Sequence, residues 1–296
     1  MWNKNVAVII DGNSLTYRAY YATIKQLDYF KLKNIKPNNA IKLMLMMSLK
    51  ILSEHQPQYA LIAFDAGKKT FRNELFSDYK ANRASTPIEL INQLKDLQNL
   101  LMLIGYQVRL QEGIEADDII GSFAKLANEA KLQCKIFSSD KDMLQLVNNH
   151  TTVYQPKVGI SEMQTYNLNN FAKLCDGLLP EQITEYKGIV GDSSDNLPGI
   201  KGIGKKTGLD LLLKYRDLDG IYEHLDELKP KQKELFLEYK SVAQQCKMLA
   251  TIKTDLFTND NVNNFLRQPM QLEAIFEYLK TVNINNLDRY IFEANK

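Results

Sequence analysis

The sequence predicts an α/β fold, a mostly parallel central sheet flanked by helices, followed by a mainly helical C-terminal region. Three observations predict it. Short apolar runs alternate with longer stretches of helical periodicity through the N-terminal half, as βαβ units require. Each run leads to an acidic residue, and parallel sheets gather functional groups at the carboxyl ends of their strands. Around Gly159 the alternation weakens, and apolar residues then recur mainly at helix-like intervals.

The first run is Val6 to Ile10, "VAVII", ending at Asp11 and followed by "GNSLTYRAYYA", which reads as loop then helix. Tyr59 to Phe64, "YALIAF", ends at Asp65. "YQVRL" from Tyr106 leads through Gly113 to Glu115, and "CKIFSS" from Cys134 ends at Asp140. Between them lie helical patterns over Asn39 to His55, Pro87 to Ile104 and Ala116 to Lys131. The later helices are expected over Leu168 to Leu174, Glu181 to Ile189, Lys205 to Tyr215, Gln232 to Ala250 and Met270 to Leu279. We expect an α/β core over residues 1–175, with a cover near 68–86, and a helical region over 176–296.

Composition narrows the function. Hydrophobic residues make up 45% of 296, enough to bury a sizeable core without crosslinks. Lys and Arg total 37 against 35 Asp and Glu, so the net charge of +2 gives no bulk argument for nucleic acid, and any basic footprint is local. Cys134, Cys175 and Cys246 form no CxxC pair, which fits a reducing compartment. No charged-then-apolar leader opens the chain, and no apolar run reaches the ~20 residues of a bilayer span, so a cytoplasmic protein is expected. His55, His150 and His224 are isolated, which leaves a zinc site or a hydrolase triad little support.

The acids carry the chemistry. In "GIEADDII", a helix step of about 100° places Glu115 and Asp118 roughly 60° apart and Asp117 roughly 100° beyond Asp118, so all three can face one point. Asp140 and Asp142 sit two apart in "SSDKDM", and Asp192 and Asp195 three apart in "GDSSDNLPG". With Asp11 and Asp65 these make a candidate metal set of Asp11, Asp65, Glu115, Asp117, Asp118, Asp140, Asp142, Asp192 and Asp195. Singly, each would pass for a turn, a cap or a solvated charge. Their shared position after strands argues otherwise. Clustered carboxylates repel unless protons or cations offset them, and hard divalent ions favour oxygen donors. There is no EF-hand pattern, so calcium storage is disfavoured.

Two basic stretches are candidate nucleic-acid surfaces. In "LPGIKGIGKKTG", Gly199, Gly202 and Gly204 permit tight turns and close backbone approach, while Lys201, Lys205 and Lys206, with Thr207 beside them, supply charge and donors. The segment, near 186–216, resembles a helix-hairpin-helix element that grips duplex backbone without reading bases. It lacks P-loop spacing. The second stretch, Lys68 to Arg83, "KKTFRNELFSDYKANR", is a candidate cover over the acids. Arg72, Lys80 and Arg83 are candidates for phosphate contacts; Phe71, Phe76 and Tyr79 either pack the cover or stack on a base.

Taken together, "IIDGNSLTYRAYYA", "AFDAGKKTFRNELFSDYKANR", "EGIEADDIIGSFA", "SSDKDMLQL" and "GIVGDSSDNLPGIKGIGKKT" resemble the 5′-nuclease domain of bacterial DNA polymerase I, within the flap endonuclease superfamily. The resemblance covers approximately residues 4–255. It implies a PIN-like nuclease core with a helical arch, and an enzyme using Mg²⁺, two ions, with Mn²⁺ an acceptable substitute. Asp11, Asp65, Glu115, Asp117 and Asp118 would organise the first metal region, and Asp140, Asp142, Asp192 and Asp195 the second. Arg72, Lys80 and Arg83 would position the scissile phosphate, with Tyr79 stacking on the terminal nucleotide.

The implied reaction is in-line attack of water on phosphorus near a 5′ single-strand/duplex junction, leaving a 3′ hydroxyl and a 5′ phosphate. Implied partners are flapped, nicked or branched DNA, RNA-primed DNA included, and a separate polymerase. Nothing demands a dimer. Two departures from the family wording stand out: Gly208 where alanine is more usual, and "SSDKD" where a glycine commonly precedes the first Asp. We expect Gly208 to loosen its helix by roughly 0.5 to 1 kcal/mol. Within these 296 residues no polymerising region is expected after this domain, as in a separate nuclease or a fragment of a longer polymerase. A ribonuclease acting mainly on RNA and a catalytically silent junction-binding module are the competing expectations.

Overall fold

Val6 to Ile10 are all buried, as a central parallel strand covered on both faces demands. They lie in β1 (Asn3–Asp11), whose alternation splits the run between two cores: Val6, Val8 and Ile10 face one, Ala7 and Ile9 the other. The computed structural model describes residues 2–67, 69–158 and 162–296; Lys68, the start of the expected cover, and Gly159 lie outside them. After β1 come α1 (Gly12–Ala22), α2 (Gln26–Lys33), α3 (Asn39–His55), β2 (Pro57–Ala63), α4 (Phe71–Leu75), α5 (Ile88–Leu103), β3 (Gln107–Arg109), α6 (Ala116–Glu129), β4 (Gln133–Phe137), β5 (Thr151–Val158) and β6 (Glu162–Tyr166).

The sheet order is β3-β2-β1-β4-β5-β6, parallel from β3 to β5, with β6 antiparallel at the edge. The chain first steps outward from β1 to β2 and β3, then returns to lay β4 on the other side of β1. The switch point therefore falls between β1 and β4, where open α/β sheets place their sites. α3 and α5 pack on one face through Met44, Leu49, Leu52, Leu97 and Leu101. α6 covers the other through Ile119, Ile120, Phe123 and Ala127. The hairpin β5–β6 was not expected. Pro156 lies within β5, a residue that confines strands to positions near an edge.

The helical part comprises α7 (Phe171–Leu174), α8 (Gln182–Val190), α9 (Lys205–Tyr215), α10 (Leu218–Glu223), α11 (Pro230–Glu238), α12 (Lys240–Ala250), α13 (Leu272–Thr281) and α14 (Asp288–Ala294). The expected helix over Gln232 to Ala250 is two helices meeting at Tyr239. The expected 176–296 region is also divided in space. α8 to α12 surround their own core of Ile189, Leu212, Leu218, Ile221 and Phe236, whereas Ile275, Leu279, Leu287 and Ile291 of α13 and α14 join the core under α3 and α5. No described helix is long and apolar enough to cross a membrane.

Gly208 is where α9 meets α8. A Cβ there would lie 2.5 Å from Val190 Cγ2 and 3.3 Å from Ile189 Cγ2. The missing side chain permits the close helix contact, so the expected loosening of α9 is opposed by packing. Gly208→Ala should therefore lower the thermal midpoint despite gaining roughly 1 kcal/mol of helix propensity. A raised midpoint in differential scanning calorimetry would contradict this reading.

Candidate metal centre and nucleic-acid interface

Asp11 is the last residue of β1 and the N-cap of α1, its Oδ1 accepting the Ser14 N–H at 2.9 Å. Across the switch point, the Ser138 hydroxyl donates to Asp11 Oδ2 at 2.6 Å and accepts the Asp140 N–H at 2.9 Å. One serine thus ties the ends of β1 and β4 together. Asp140 Oδ1 accepts the Asp142 N–H and opens a 3₁₀ turn, Lys141–Leu146. Asp65 Oδ1 accepts the Ala116 N–H at 2.8 Å, fastening the end of β2 to the start of α6, where Glu115 and Asp117 enter the site. The unusual "SSDKD" wording is accommodated: Ser139 needs no left-handed backbone, and its N–H donates to Ser14 Oγ.

The second acidic group is tighter. Among the described residues, Asp142, Asp192 and Asp195 each bring one oxygen within 4.8 Å of the others. Asp192 and Asp195 come from the loop after α8, with Asp192 Oδ1 anchored by the Ser194 N–H and hydroxyl. The ammonium of Lys187, on α8, pairs with Asp142 and with Asp192.

Electrostatics link the two groups through Asp140. Burial pushes Asp11 up to about 7, against hydrogen bonds from Ser138 and Ser14, with Asp140 and Asp65 adding repulsion. Asp117 is pushed well above the ordinary carboxylate value by desolvation, then by Asp140, with Asp11 and Glu115 adding to it and Lys80 opposing. Asp142 is raised to about 7 by burial and Asp140, in spite of Lys187. Burial also opposes ionisation of Asp192, but Lys187 and Ser194 overcome it and hold Asp192 down at about 2. Burial alone would lower Lys187; Asp142 and Asp192 outweigh it and raise the ammonium above its ordinary value.

These shifts fix a pH dependence for the protein in chelator. Asp11 and Asp142 bind protons more tightly folded than unfolded, so their ionisation costs stability as pH rises from the unfolded value of about 4 through the folded value of about 7. Asp192 acts oppositely, but only at acid pH. Between about pH 6 and pH 8 the chelated protein should lose about 1 to 3 kcal/mol in urea unfolding, and saturating Mg²⁺ should shrink the difference. Stability that rises over this interval in chelator would contradict the assignment.

The cover is closed over the acids. Among the described residues of the cover only α4 is helical, and turns complete residues 76–83 instead of a continuous helical arch. The Lys80 N–H donates to the Asp195 carbonyl, and Asn82 and Arg83 bond the carbonyls of Ser193 and Ser194. Lys80 Nζ lies 3.0 Å from Glu115 Oε2, and Arg83 Nη2 lies 2.6 Å from Asp195 Oδ1. These two expected phosphate contacts do reach the acidic site.

Arg72 and Asp118 are placed otherwise than expected. Arg72 is 2% exposed and Asp118 0%. The guanidinium donates to both Asp118 oxygens at 2.7 and 2.8 Å and to the carbonyls of Leu249 and Thr251, while Asp118 Oδ1 also accepts the Lys253 N–H. Arg72 Nη1 also lies 3.4 Å from Glu115 Oε2, at the edge of the acidic site. The pair joins the cover to α6 and the end of α12. Tyr79 likewise is 3% exposed, packed with Leu197, Leu249 and Ala250, its hydroxyl donating toward Glu115 and Asp195. In this arrangement it supports the acids and has no free face for a base.

The hairpin between α8 and α9 presents the second surface. Gly199 has φ 63°, and a Cβ there would collide with Gly191 N, so the backbone crosses itself where only glycine fits. Gly202 has φ 91°, and Gly204 is the extended N-cap of α9. Lys201, Lys205 and Lys206 are exposed around this start of the helix, with Thr207 half-buried. Residues missed from sequence are Ser138 and Lys187. A serine beside an acid has no distinctive signal, and Lys187 stands in a helix whose apolar spacing reads as core.

Carboxylates at the switch point of a parallel sheet, joined to a basic hairpin, define a metal-dependent nuclease. Residues 6–175 match the family model described as 5′-3′ exonuclease, N-terminal resolvase-like domain, and residues 178–273 match 5′-3′ exonuclease, C-terminal SAM fold. The chain belongs to the 5′-3′ exonuclease family. It is 44% identical to the 5′-3′ exonuclease of Mycoplasma pneumoniae, over 95% of this chain and 97% of that one. It is 38% identical to DNA polymerase I of Bacillus subtilis over 97% of this chain but only 32% of the polymerase. Among solved structures, the zinc-bound T5 5′-exonuclease shares the fold at TM-score 0.69 and 20% identity, covering 94% of this chain and 98% of that one. The bacteriophage T5 D15 flap endonuclease, solved as a pseudo-enzyme-product complex with DNA and metal ions, matches at TM-score 0.65 and 20% identity, covering 98% and 97%.

Proposed function

We propose that this chain is a Mg²⁺-dependent 5′-3′ exonuclease and structure-specific flap endonuclease, cutting phosphodiester bonds near junctions between a 5′ single strand and duplex DNA. The observation that carries the reading is Asp11 and Asp140 joined through Ser138 at the sheet's switch point, with Asp142, Asp192 and Asp195 facing one another beside them. The donor set fits hard divalent cations, being all carboxylate with no thiolate or imidazole, and its raised proton affinities mark charge that a cation would offset. When bound, the ions supply Lewis-acid stabilisation and activation of the attacking water.

The protein's own residues do the rest. Asp11, Asp117 and Asp140, with Asp65 and Glu115 at the rim, would hold one ion; Asp142, Asp192 and Asp195 would hold a second. Ser138 fixes Asp11 and Asp140 relative to each other. Lys80 and Arg83 exchange their carboxylate partners for phosphate oxygens when a strand enters beneath the cover, and so orient it and offset developing charge. Lys201, Lys205, Lys206 and the amides at the start of α9 hold the duplex backbone. We assign Arg72, Asp118 and Tyr79 positioning roles. The reading includes removal of RNA-primed 5′ ends, action as a monomer in the cytoplasm, and work alongside a separate polymerase.

The test compares end-labelled flap, nicked, single-stranded DNA and matched RNA substrates in Mg²⁺, Mn²⁺ and chelator, mapping every cut. Metal-requiring cuts near the flap junction are expected. Faster cleavage of junction-free RNA would favour a ribonuclease, and tight binding without cutting a silent module.

A further inference from the structure

Lys187 differs from the other cations at the site in where it comes from and what it touches. Lys80 and Arg83 descend from the cover, and Arg83 is 47% exposed along its side chain. Lys187 belongs to α8, between buried Thr184, Glu185, Gly188 and Ile189, and its side chain is 11% exposed. Its ammonium contacts two carboxylates of the three that face one another within 4.8 Å, Asp142 and Asp192, the latter at 2.5 Å. Glu185 on the same helix is engaged elsewhere, with Lys247 and the Leu218 N–H. The second acidic group therefore carries its own built-in counter-charge.

Resting on the metal-centre reading above, we propose that Lys187 is a specificity-determining residue of the second cation position, competing with the divalent ion for Asp142 and Asp192. Ammonium and metal cannot share the same oxygens at close range without strong repulsion, so an incoming ion must displace the lysine from at least one aspartate. The consequence is asymmetric loading. Among the described residues no side-chain cation is paired with Asp11, Asp117 or Asp140 themselves, the nearest, Lys80 and Arg72, being held by Glu115 at 3.0 and 3.4 Å, so the ion there should bind more tightly. The ion at Asp142, Asp192 and Asp195 should bind more weakly, and the lysine holds Asp142 and Asp192 together until it arrives.

The test is Mn²⁺ binding to the whole chain without DNA, by titration calorimetry and by electron paramagnetic resonance of free Mn²⁺. Wild type should show one tighter and one weaker class. Lys187→Met should tighten the weaker class by about tenfold or more and leave the tighter class unchanged, because a unit charge has been removed from beside one site only. Lys187→Gln retains hydrogen bonding to the aspartates and serves if the methionine variant folds poorly; the same tightening is expected. A weaker class that is unchanged or loosened in the glutamine variant overturns the proposal while leaving the metal centre standing. Wild type that binds no Mn²⁺ overturns both.

Discussion

Asp140→Asn should depress single-turnover cleavage by about 10²- to 10⁴-fold while leaving most duplex binding intact. Asp140 is the acid whose charge reaches both groups, raising the proton affinity of Asp11 and Asp117 on one side and of Asp142 on the other. Its carboxylate is only partly buried, and asparagine retains an oxygen for the Asp142 N–H, so the turn that carries it should survive. What is lost is one negative charge between two cation positions. Loss of several kcal/mol of transition-state stabilisation follows. The hairpin lysines lie on α9 and its preceding loop, so binding measured at several salt concentrations should keep its slope. Cleavage at the wild-type rate with saturating enzyme would remove Asp140 from the centre of the account.

The second large effect is on folding. Arg72→Met should cost about 3 to 5 kcal/mol, because it strands the fully buried Asp118 carboxylate without its guanidinium. It also leaves the carbonyls of Leu249 and Thr251 without a donor. Combining it with Asp118→Leu should recover part of the loss, since removing both charges is less costly than removing one. Urea unfolding in chelator checks this directly. A phosphate-contacting Arg72 would give the opposite pattern, with unchanged stability and weakened DNA binding.

The two cases show what the sequence makes legible. Apolar runs of five or six residues read as strands buried on both faces, and their ends must lie together if the strands are parallel; Asp11, Asp65 and Asp140 could be placed from that. The hairpin was legible through Gly199 and Gly202, whose left-handed turns admit few other residues. Long-range pairing was not. Arg72 and Asp118 are 46 residues apart, and no local pattern distinguishes an arginine that will be buried against a carboxylate from one that will face a phosphate. The same blindness hid the Lys187 ammonium, joined to Asp142 across 45 residues. It also hid the return of α13 and α14 to the α3–α5 core, because an amphipathic stripe declares that a helix is covered without declaring by what.

The most direct measurement is anomalous scattering from Mn²⁺ in crystals of the protein. The account predicts one peak among Asp11, Asp117 and Asp140 and a second among Asp142, Asp192 and Asp195, with Asp118 still paired to Arg72. Mn²⁺ bound at Asp118 with Arg72 displaced, or bound only away from the carboxyl edge of the sheet, would contradict it.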